Sequence, residues 1–329
     1  MPIQGPSSFA PVTNLFLAHW EPVNTALGVN GPLVLPTQPP AAPGTITRGN
    51  LETHRNNLVL KHTEIQGKVN DVELAAGVLR AMKTEGALRL NQFKEKVNVK
   101  LAGTAFPGAL PLVPSETDGQ GNFVEPMDDM ETLWTKVNAL VANPSFTPPL
   151  TLLGGYALGD FSPALGLLRT QFSLVGKAEV LLELARGERT KLEQTIYPIL
   201  KAYRLAVPSE FAENDPLVLS LPKLTPDPGS TPDAVSATGI WNAPTTQGKI
   251  TWTASTAADL YQYEIRWSPG SSYSAEDEVV IGNIAPAGPL EFFTLQGLGL
   301  PGAQSVFKVY VVTTTGNEKG SNTVKITRP

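Results

Sequence analysis

The sequence predicts an α + β multidomain protein, in which an elongated helical bundle with a proline-rich N-terminal arm is followed by an antiparallel β-sandwich. Apolar residues recur every seven positions between residues 50 and 102, which is typical of one face of a long helix. Towards the C-terminus apolar and polar residues alternate, which is typical of strands. We therefore divide the chain into four segments: an arm (1–47), a helical domain (48–207), a linker (208–232) and a sandwich (233–329).

The first 47 residues carry a single charge, Glu21, and nine prolines, a density that disfavours helices and favours extended backbone. Large apolar side chains are nevertheless frequent here, and they are costly to leave in water. An extended arm of this length reaches roughly 100 Å or more at about 3.3 Å per residue, far enough to contact a neighbouring subunit. We predict that the arm docks on another copy of the protein, and a solvated tail is the alternative. The residues predicted at this subunit interface are Phe16, Trp20, Leu33 and Leu35, with Phe16 and Trp20 as anchors.

Two long helices are predicted, over residues 50–102 and 162–207. The second has Ser162 as its N-cap and Pro163 at its first helical position. We expect Pro198 to kink or divide it and Pro208 to end it. An apolar stripe on one helix needs a partner, so the stripe of the first helix should pack against the second helix of the same chain. This stripe consists of Leu51, Leu58, Ile65, Val72 and Leu79.

A shorter helix is predicted between the two long ones. Residues 118–122 have a turn composition and suggest a hairpin between two short extended pieces. Pro126 then fits the first turn of the short helix, with acidic residues at its positive end, and Asn143–Pro144 should end it.

Six prolines between residues 208 and 232 predict a stiff linker and the clearest domain boundary of the chain. Strands with period two follow at 250–253, 260–267 and 307–311. Together with the closing segment 316–326, they resemble a fibronectin type III domain. The likeness covers about the last 100 residues, and residues 1–207 are assigned to no family.

The resemblance implies two packed antiparallel sheets with Trp252 as the core tryptophan between them. Where that family usually has a tyrosine whose hydroxyl fixes a corner, this sequence has Phe307. No Arg-Gly-Asp loop is present, so the resemblance does not imply integrin-type binding.

Charge and composition exclude several classes of protein. The net charge of −5 argues against nucleic-acid binding, which needs a basic surface, and the absence of cysteine excludes disulfides and thiolate chemistry. No apolar run is long enough for membrane insertion, and the first basic residue, Arg48, comes too late for a secretory signal. The compartment stays open between the cytoplasm and a surface or extracellular assembly.

No catalytic, cofactor-binding or metal-binding residue is predicted, and no cofactor is implied. His54 and His62 are eight residues apart, two helical turns, which places them out of reach of one metal ion. A packing or hydrogen-bonding role is expected for His19. The segment 297–302 matches G-x-G-x-x-G, but a strand rather than a helix should follow it, so we interpret it as a loop.

Three acidic segments are interpreted structurally. Residues 118–122 lack the ligands of an EF-hand and form a turn. Asp128 and Asp129 suit a helix N-terminus, and Glu276, Asp277 and Glu278 are expected in a solvated loop of the sandwich. Weak divalent-cation binding at the last two segments is the alternative.

These features favour a non-enzymatic structural protein that self-associates into an ordered assembly such as a filament, tube, sheath or shell. The observations are the apolar arm, the striped helices, a charged content of only 17% and a C-terminal sandwich of a class used for contacts. The alternative function is an adhesin-like or ligand-binding module, in which the sandwich binds another protein or a carbohydrate. Aromatic side chains exposed on one face of the sandwich would favour that alternative.

Overall fold

The computed structural model describes residues 2–37, 44–142 and 145–329, and it confirms an α + β protein. Two compact units are present: Met1–Asn70 with Leu182–Pro329, and Asp71–Leu181. The helices are α1 Pro6–Leu27, α2 Arg48–Lys100, α3 Gln120–Asn138, α4 Leu158–Glu210 and α5 Pro216–Leu219. The strands are β1 Leu35–Pro36, β2 Thr45–Ile46, β3 Ala237–Asn242, β4 Gln247–Trp252, β5 Leu260–Ser268, β6 Val279–Ile284, β7 Glu291–Thr294, β8 Gln304–Thr313, β9 Glu318–Gly320 and β10 Val324–Thr327.

The N-terminal segment is a 22-residue helix, not the extended arm that its prolines predict. Pro6 occupies the first turn without loss, whereas Pro11 and Pro22 lie inside the helix, where each costs about 3 kcal/mol. Five apolar side chains on one face are at most 4% exposed, and burying each contributes about 1.5–3 kcal/mol. Burial therefore outweighs the prolines. The five side chains are Val12, Phe16, Leu17, Trp20 and Val23.

The apolar face of α1 packs in a core formed by its own chain, which we call the first core. Phe16 and Trp20 contact Tyr203 of α4, with ring centroids 5.7 and 4.6 Å apart. Leu33 and Leu35 belong to the same core and are 7% and 1% exposed. The four residues that the sequence places at a subunit interface are therefore interior residues of one chain, and docking them on a neighbour would require this core to open.

The predicted pairing of the two long helices within one chain is confirmed in each unit. In the first core Leu51 and Leu58 of α2 pack with α4 residues that include Ile196 and Leu200. In the Asp71–Leu181 unit, Leu79 belongs to a second core, which contains Phe93, Phe123, Trp134, Phe161 and Leu165. Of the stripe, Ile65 is also buried and Val72 is half-buried.

The predicted hairpin before α3 is wrong. Asp118 accepts a hydrogen bond from the amide of Ser115 (2.8 Å), and α3 begins at Gln120, so Pro126 lies inside the helix. Phe123, Met127 and Met130 recur at helical spacing and are fully buried, which favours the early start. The helix ends at Asn138, and the predicted end at Asn143–Pro144 falls outside the described residues.

The fourth helix is longer than expected, with 53 residues from Leu158 to Glu210. Ser162 is not an N-cap, because its hydroxyl donates back to the carbonyl of Leu158 inside the first turns. Pro198 does not divide the helix, and the flanking Ile196 and Ile199 are both buried in the first core. Packing on both sides of the proline thus holds the helix together.

The C-terminal segment is a sandwich of two antiparallel sheets. One sheet has the order β3-β4-β7, and the other has the order β10-β8-β5-β6 with β9 added to β8. Trp252 is 6% exposed in the core between them, as predicted. Gly239 of β3 lies so close to β10 that an added Cβ atom would stand 2.3 Å from Val324, so only glycine fits there.

The proline-rich segment 208–232 packs against other parts of the first unit and is not an isolated linker. Leu224 joins the first core, its carbonyl accepts a hydrogen bond from the amide of Ile3 (3.0 Å), and Asp227 donates to Thr315 (2.8 Å). The sandwich therefore belongs to the same compact unit as α1. The division between units runs through α2 and α4 rather than through the predicted linker.

Candidate functional site

An exposed row of leucines runs along α4 in the Asp71–Leu181 unit. Leu167, Leu174 and Leu181 are spaced by seven and are 61%, 47% and 37% exposed. Leu165 and Leu168, which lie on either side of Leu167 in the sequence, are buried in the second core. This part of α4 therefore has apolar residues on its buried face and on its exposed face. Such a pattern is typical of a helix that is packed against other structure on both faces. We call Leu167, Leu174 and Leu181 the leucine row.

The surroundings of the leucine row suit close contact with another helix. Gly166 and Ser173, which directly precede Leu167 and Leu174, are exposed and have a small or absent side chain. Val180 adds a further apolar side chain that is 68% exposed. In α2 the same unit also exposes large apolar residues: Leu74, Val78, Leu88 and Val99.

In the acidic loop 276–278, Glu276 is exposed as expected, but Asp277 and Glu278 are buried, which corrects the expectation of a solvated loop for these two residues. Asp277 is 2% exposed and pairs with two arginines of α4. Arg186 forms a two-pronged ion pair with this carboxylate, and Nη1 of Arg189 lies 3.6 Å from it. The carboxylate is therefore neutralised by protein cations, and the arrangement attaches the loop to the helix within the first unit.

A second buried ion cluster lies on the five-stranded sheet. Arg266 is 3% exposed and pairs with Glu264 and Glu278 at 2.8 Å and with Glu318. Its guanidinium stacks 3.8 Å from the ring centre of Tyr310. The alternation in β5 predicts a solvated polar face, yet both faces of the strand are buried from Tyr263 onwards.

Glu278 connects this cluster to α1. One carboxylate oxygen accepts from Arg266 and from the hydroxyl of Ser7 (3.1 Å), and the other accepts from Tyr273 and Tyr310. Every one of these partners donates, so both oxygens of the carboxylate are occupied. Its function here is to fix the sandwich to the N-terminal helix, because no position is left open for a ligand.

Burial dominates the electrostatics of the cluster. It raises the pKa of Tyr310 to about 12 and that of Tyr273 further, with the charge of Glu278 acting in the same direction. Burial also raises the pKa of Glu318, although Arg266 opposes the rise. Burial disfavours the charged form of Arg266, but its three carboxylate partners more than offset this and raise its pKa. The tyrosines are therefore neutral donors rather than general bases.

The three histidines have structural surroundings. The ring of His19 lies 2.7 Å from the Tyr203 hydroxyl and 2.9 Å from the Leu217 carbonyl, which agrees with the expected hydrogen-bonding role. Burial lowers the pKa of His54, and burial together with Arg189 lowers that of His62 to about 4. Over the ranges that the structure describes, no three potential ligands are grouped as a metal site would require.

The remaining sequence motifs also take structural roles. The segment 297–302 forms turns between β7 and β8, and a strand follows it as predicted. Asp128 and Asp129 lie inside α3 rather than at its N-terminus, because the helix begins at Gln120, and Asp128 pairs with Arg169 of α4. Among the described residues, no helix combines the length and hydropathy needed to cross a membrane.

Sequence analysis missed the leucine row and the arginines of the ion clusters. The row is visible in the sequence as a sevenfold leucine series within α4. The ion pairs gave no comparable signal, because Arg186 and Asp277 are 91 residues apart.

No family model and no curated protein matches the chain. A Fn3-like protein from Clostridium thermocellum matches 30% of this chain and 96% of its own, with 17% identity and a TM-score of 0.24. Pectate lyase Pel3 from Pectobacterium carotovorum matches 28% of this chain with 14% identity and a TM-score of 0.24, and the match spans 27% of the lyase. A second crystal form of that lyase gives 12% identity and a TM-score of 0.23. Similarity at this level carries no conclusion about activity.

Proposed function

We propose that the protein is a non-enzymatic structural protein that self-associates into an ordered assembly, such as a filament, tube, sheath or shell, through the leucine row of α4. The observation that carries the proposal is the exposure of Leu167, Leu174 and Leu181 at a strict sevenfold spacing. Full burial of an exposed leucine contributes about 1.5–3 kcal/mol, and covering these partly buried leucines contributes about half of that each. A row of three on each of two partners therefore provides a driving force of a few kcal/mol.

A second copy of the chain is the occupant that best suits the row. Sevenfold spacing is the pattern by which two helices keep their apolar seams in contact, and a copy brings the same spacing. Small exposed neighbours such as Gly166 and Ser173 allow the helix axes to approach closely. The surface used is different from the N-terminal segment that sequence analysis assigns to this contact.

We further propose that the C-terminal sandwich is a fibronectin type III-like domain. Its support is the pair of antiparallel sheets with three and five strands, the tryptophan of β4 in the core, and the strand sequence that gave the resemblance. In the assembly this domain would be a module of the first unit, held against α4 by Asp277 and against α1 by Glu278.

The alternative function, binding through the sandwich, has less support. Trp252, Trp267 and Tyr263 are at most 6% exposed, so these aromatic side chains form core rather than a recognition face. Among the described residues of the sandwich, Tyr261 is the aromatic residue with more than half of its surface exposed. A single exposed tyrosine is not the aromatic surface that an adhesin would present.

The test is sedimentation velocity of the full chain over a range of concentrations, with negative-stain electron microscopy of the fastest species. We expect the wild type to sediment far above 35.1 kDa and a triple variant, with glutamine at 167, 174 and 181, to sediment as a monomer. The matched control replaces three other exposed leucines with glutamine: Leu112, Leu205 and Leu219, which are 82%, 78% and 74% exposed.

The proposal fails if the wild type is monomeric at every concentration. It also fails if the row variant assembles as well as the wild type, or if the control variant loses assembly to the same extent. Circular dichroism of both variants establishes that the helices are intact.

A further inference from the structure

A cavity of about 380 Å³ lies inside the Asp71–Leu181 unit, between α2 and α4. This volume is within the range of small-molecule sites, which are usually apolar with a few polar groups that fix orientation. Its walls come from one face of α2 and one face of α4, and Met127 of α3 contributes to the lining. The apolar lining residues are Val78, Met82, Met127, Phe161, Leu165 and Leu168.

The room in the cavity comes from small residues on both helices. Ala81, Gly86 and Ala164 line it at positions where most helical residues carry longer side chains. At Gly86 an added Cβ atom would meet Phe123 at 3.6 Å and Met127 at 3.7 Å, ordinary contact distances. Glycine is therefore not required there by packing, and its effect is to leave space.

The polar groups of the cavity are grouped around one arginine. Arg89 donates from Nε to Glu85 (2.6 Å), from Nη1 to Gln92 (3.1 Å) and to the carbonyl of Leu153 (3.3 Å). Its guanidinium carbon lies 4.2 Å from the ring centre of Tyr156. Four partners thus hold the cation in place beside an apolar space.

The two charges of this group differ in exposure. The side chain of Arg89 is 20% exposed, whereas that of Glu85 is 51% exposed. Glu85 can therefore turn into water at little cost, and a carboxylate from outside can take its position on the guanidinium.

We propose that this cavity binds a medium-chain aliphatic carboxylate, whose chain lies among the apolar side chains and whose carboxylate replaces Glu85 on Arg89. This site is independent of the proposed self-association, because Leu167, Leu174 and Leu181 do not line the cavity.

The test is isothermal titration calorimetry of the full chain with decanoate and, in parallel, with decanol. The wild type should bind one decanoate per chain, and Arg89→Gln should weaken that binding by at least about tenfold. Glu85→Gln should tighten it, because the competing carboxylate is removed. Arg80→Gln is the control, since Arg80 is exposed on the same helix and does not line the cavity. Decanol should bind more weakly than decanoate and respond to none of these changes.

Three results would overturn the site. They are the absence of saturable decanoate binding, unchanged binding in Arg89→Gln, and weaker rather than tighter binding in Glu85→Gln. Equal affinity for decanol and decanoate would mean that the cavity is apolar without a carboxylate position, and this also rejects the proposal. If Arg89→Gln does not fold by circular dichroism, the Glu85→Gln variant and the comparison of the two ligands still decide the question.

Discussion

Arg186 of α4 and Asp277, which lies just before β6, form an ion pair across 91 residues of sequence, and the Asp277 side chain is 1% exposed. Arg189 reinforces the same carboxylate from the next turn of the helix. The side chain of Arg186 is 19% exposed, so the arginine remains partly hydrated while the carboxylate of Asp277 is desolvated. The contact therefore holds the sandwich in register with α4 within the first unit.

Removal of this carboxylate should be strongly destabilising. Asp277→Asn removes the buried carboxylate that faces Arg186 and Arg189, although Glu276 still pairs with both arginines. Breaking a buried ion pair from one side costs about 3–5 kcal/mol. The measurement is the free energy of unfolding from urea denaturation followed by tryptophan fluorescence. Asp233→Asn, at an exposed position ahead of β3, is the control and should change stability by less than about 0.5 kcal/mol. A loss below about 1 kcal/mol in Asp277→Asn would contradict the structural role.

Truncation of the core tryptophan should destabilise the sandwich. Trp252 is 6% exposed and tilts against Tyr263 at a centroid distance of 5.6 Å, so Trp252→Ala should cost about 3–5 kcal/mol. Tyr261→Ala serves as the control, because that ring is 53% exposed. Thermal unfolding of both variants in parallel distinguishes them, and similar melting temperatures would mean that Trp252 does not pack as described.

The N-terminal helix should behave as core. Trp20 is fully buried, and Trp20→Ala should lower the free energy of unfolding by about 3–5 kcal/mol at any protein concentration. Leu15→Ala, at a position of α1 that is 44% exposed, should be nearly neutral. Urea denaturation at two protein concentrations tests this. A loss of stability that appears only at the higher, assembling concentration would instead support a segment that docks on a neighbour.

Stability should fall as the pH is lowered from 6.5 towards 4, in part because of His62. Its pKa is lowered to about 4 in the folded protein, and the unfolded chain has the ordinary value of 6.5. The unfolded state therefore binds the proton first, so this contribution is fully present above pH 6.5 and is lost as the pH falls through that window. The whole contribution is on the order of 3 kcal/mol.

His62→Gln removes that titration and should flatten the dependence. The measurement is the difference in unfolding free energy between variant and wild type at pH 7.5 and at pH 4.5. We expect the variant to lose less stability than the wild type on acidification. If the variant and the wild type lose the same unfolding free energy between pH 7.5 and pH 4.5, the imidazole of His62 is not desolvated as described.

Periodicity was sufficient to predict the long helices. The sevenfold series through Leu51 and Leu79 places α2 within two residues of its observed ends, and the buried face of α4 follows from Leu165, Leu168 and Ile196. The alternation around Trp252 likewise predicts β4 and its inward face. These features depend on local spacing, which the sequence contains directly.

The remaining features depend on partners distant in sequence. The prolines of α1 argue locally against a helix, and only the space beside Tyr203 makes that helix favourable. The burial of Glu278 likewise depends on Ser7 and Arg266, which no spacing brings together. The cavity beside Arg89 arises because two helices place small residues opposite each other, which depends on their register and not on either sequence alone.

The discontinuous first unit has a consequence for biosynthesis. His19 of α1 contacts Tyr203 across 184 residues, so the ribosome must make most of α4 before the first core can form. At about 5–20 residues per second, the apolar face of α1 waits on the order of ten to forty seconds without its partner. Throughout that interval the nascent chain presents Phe16 and Trp20 to the surrounding cell, as a segment that a chaperone would bind before the chain is complete.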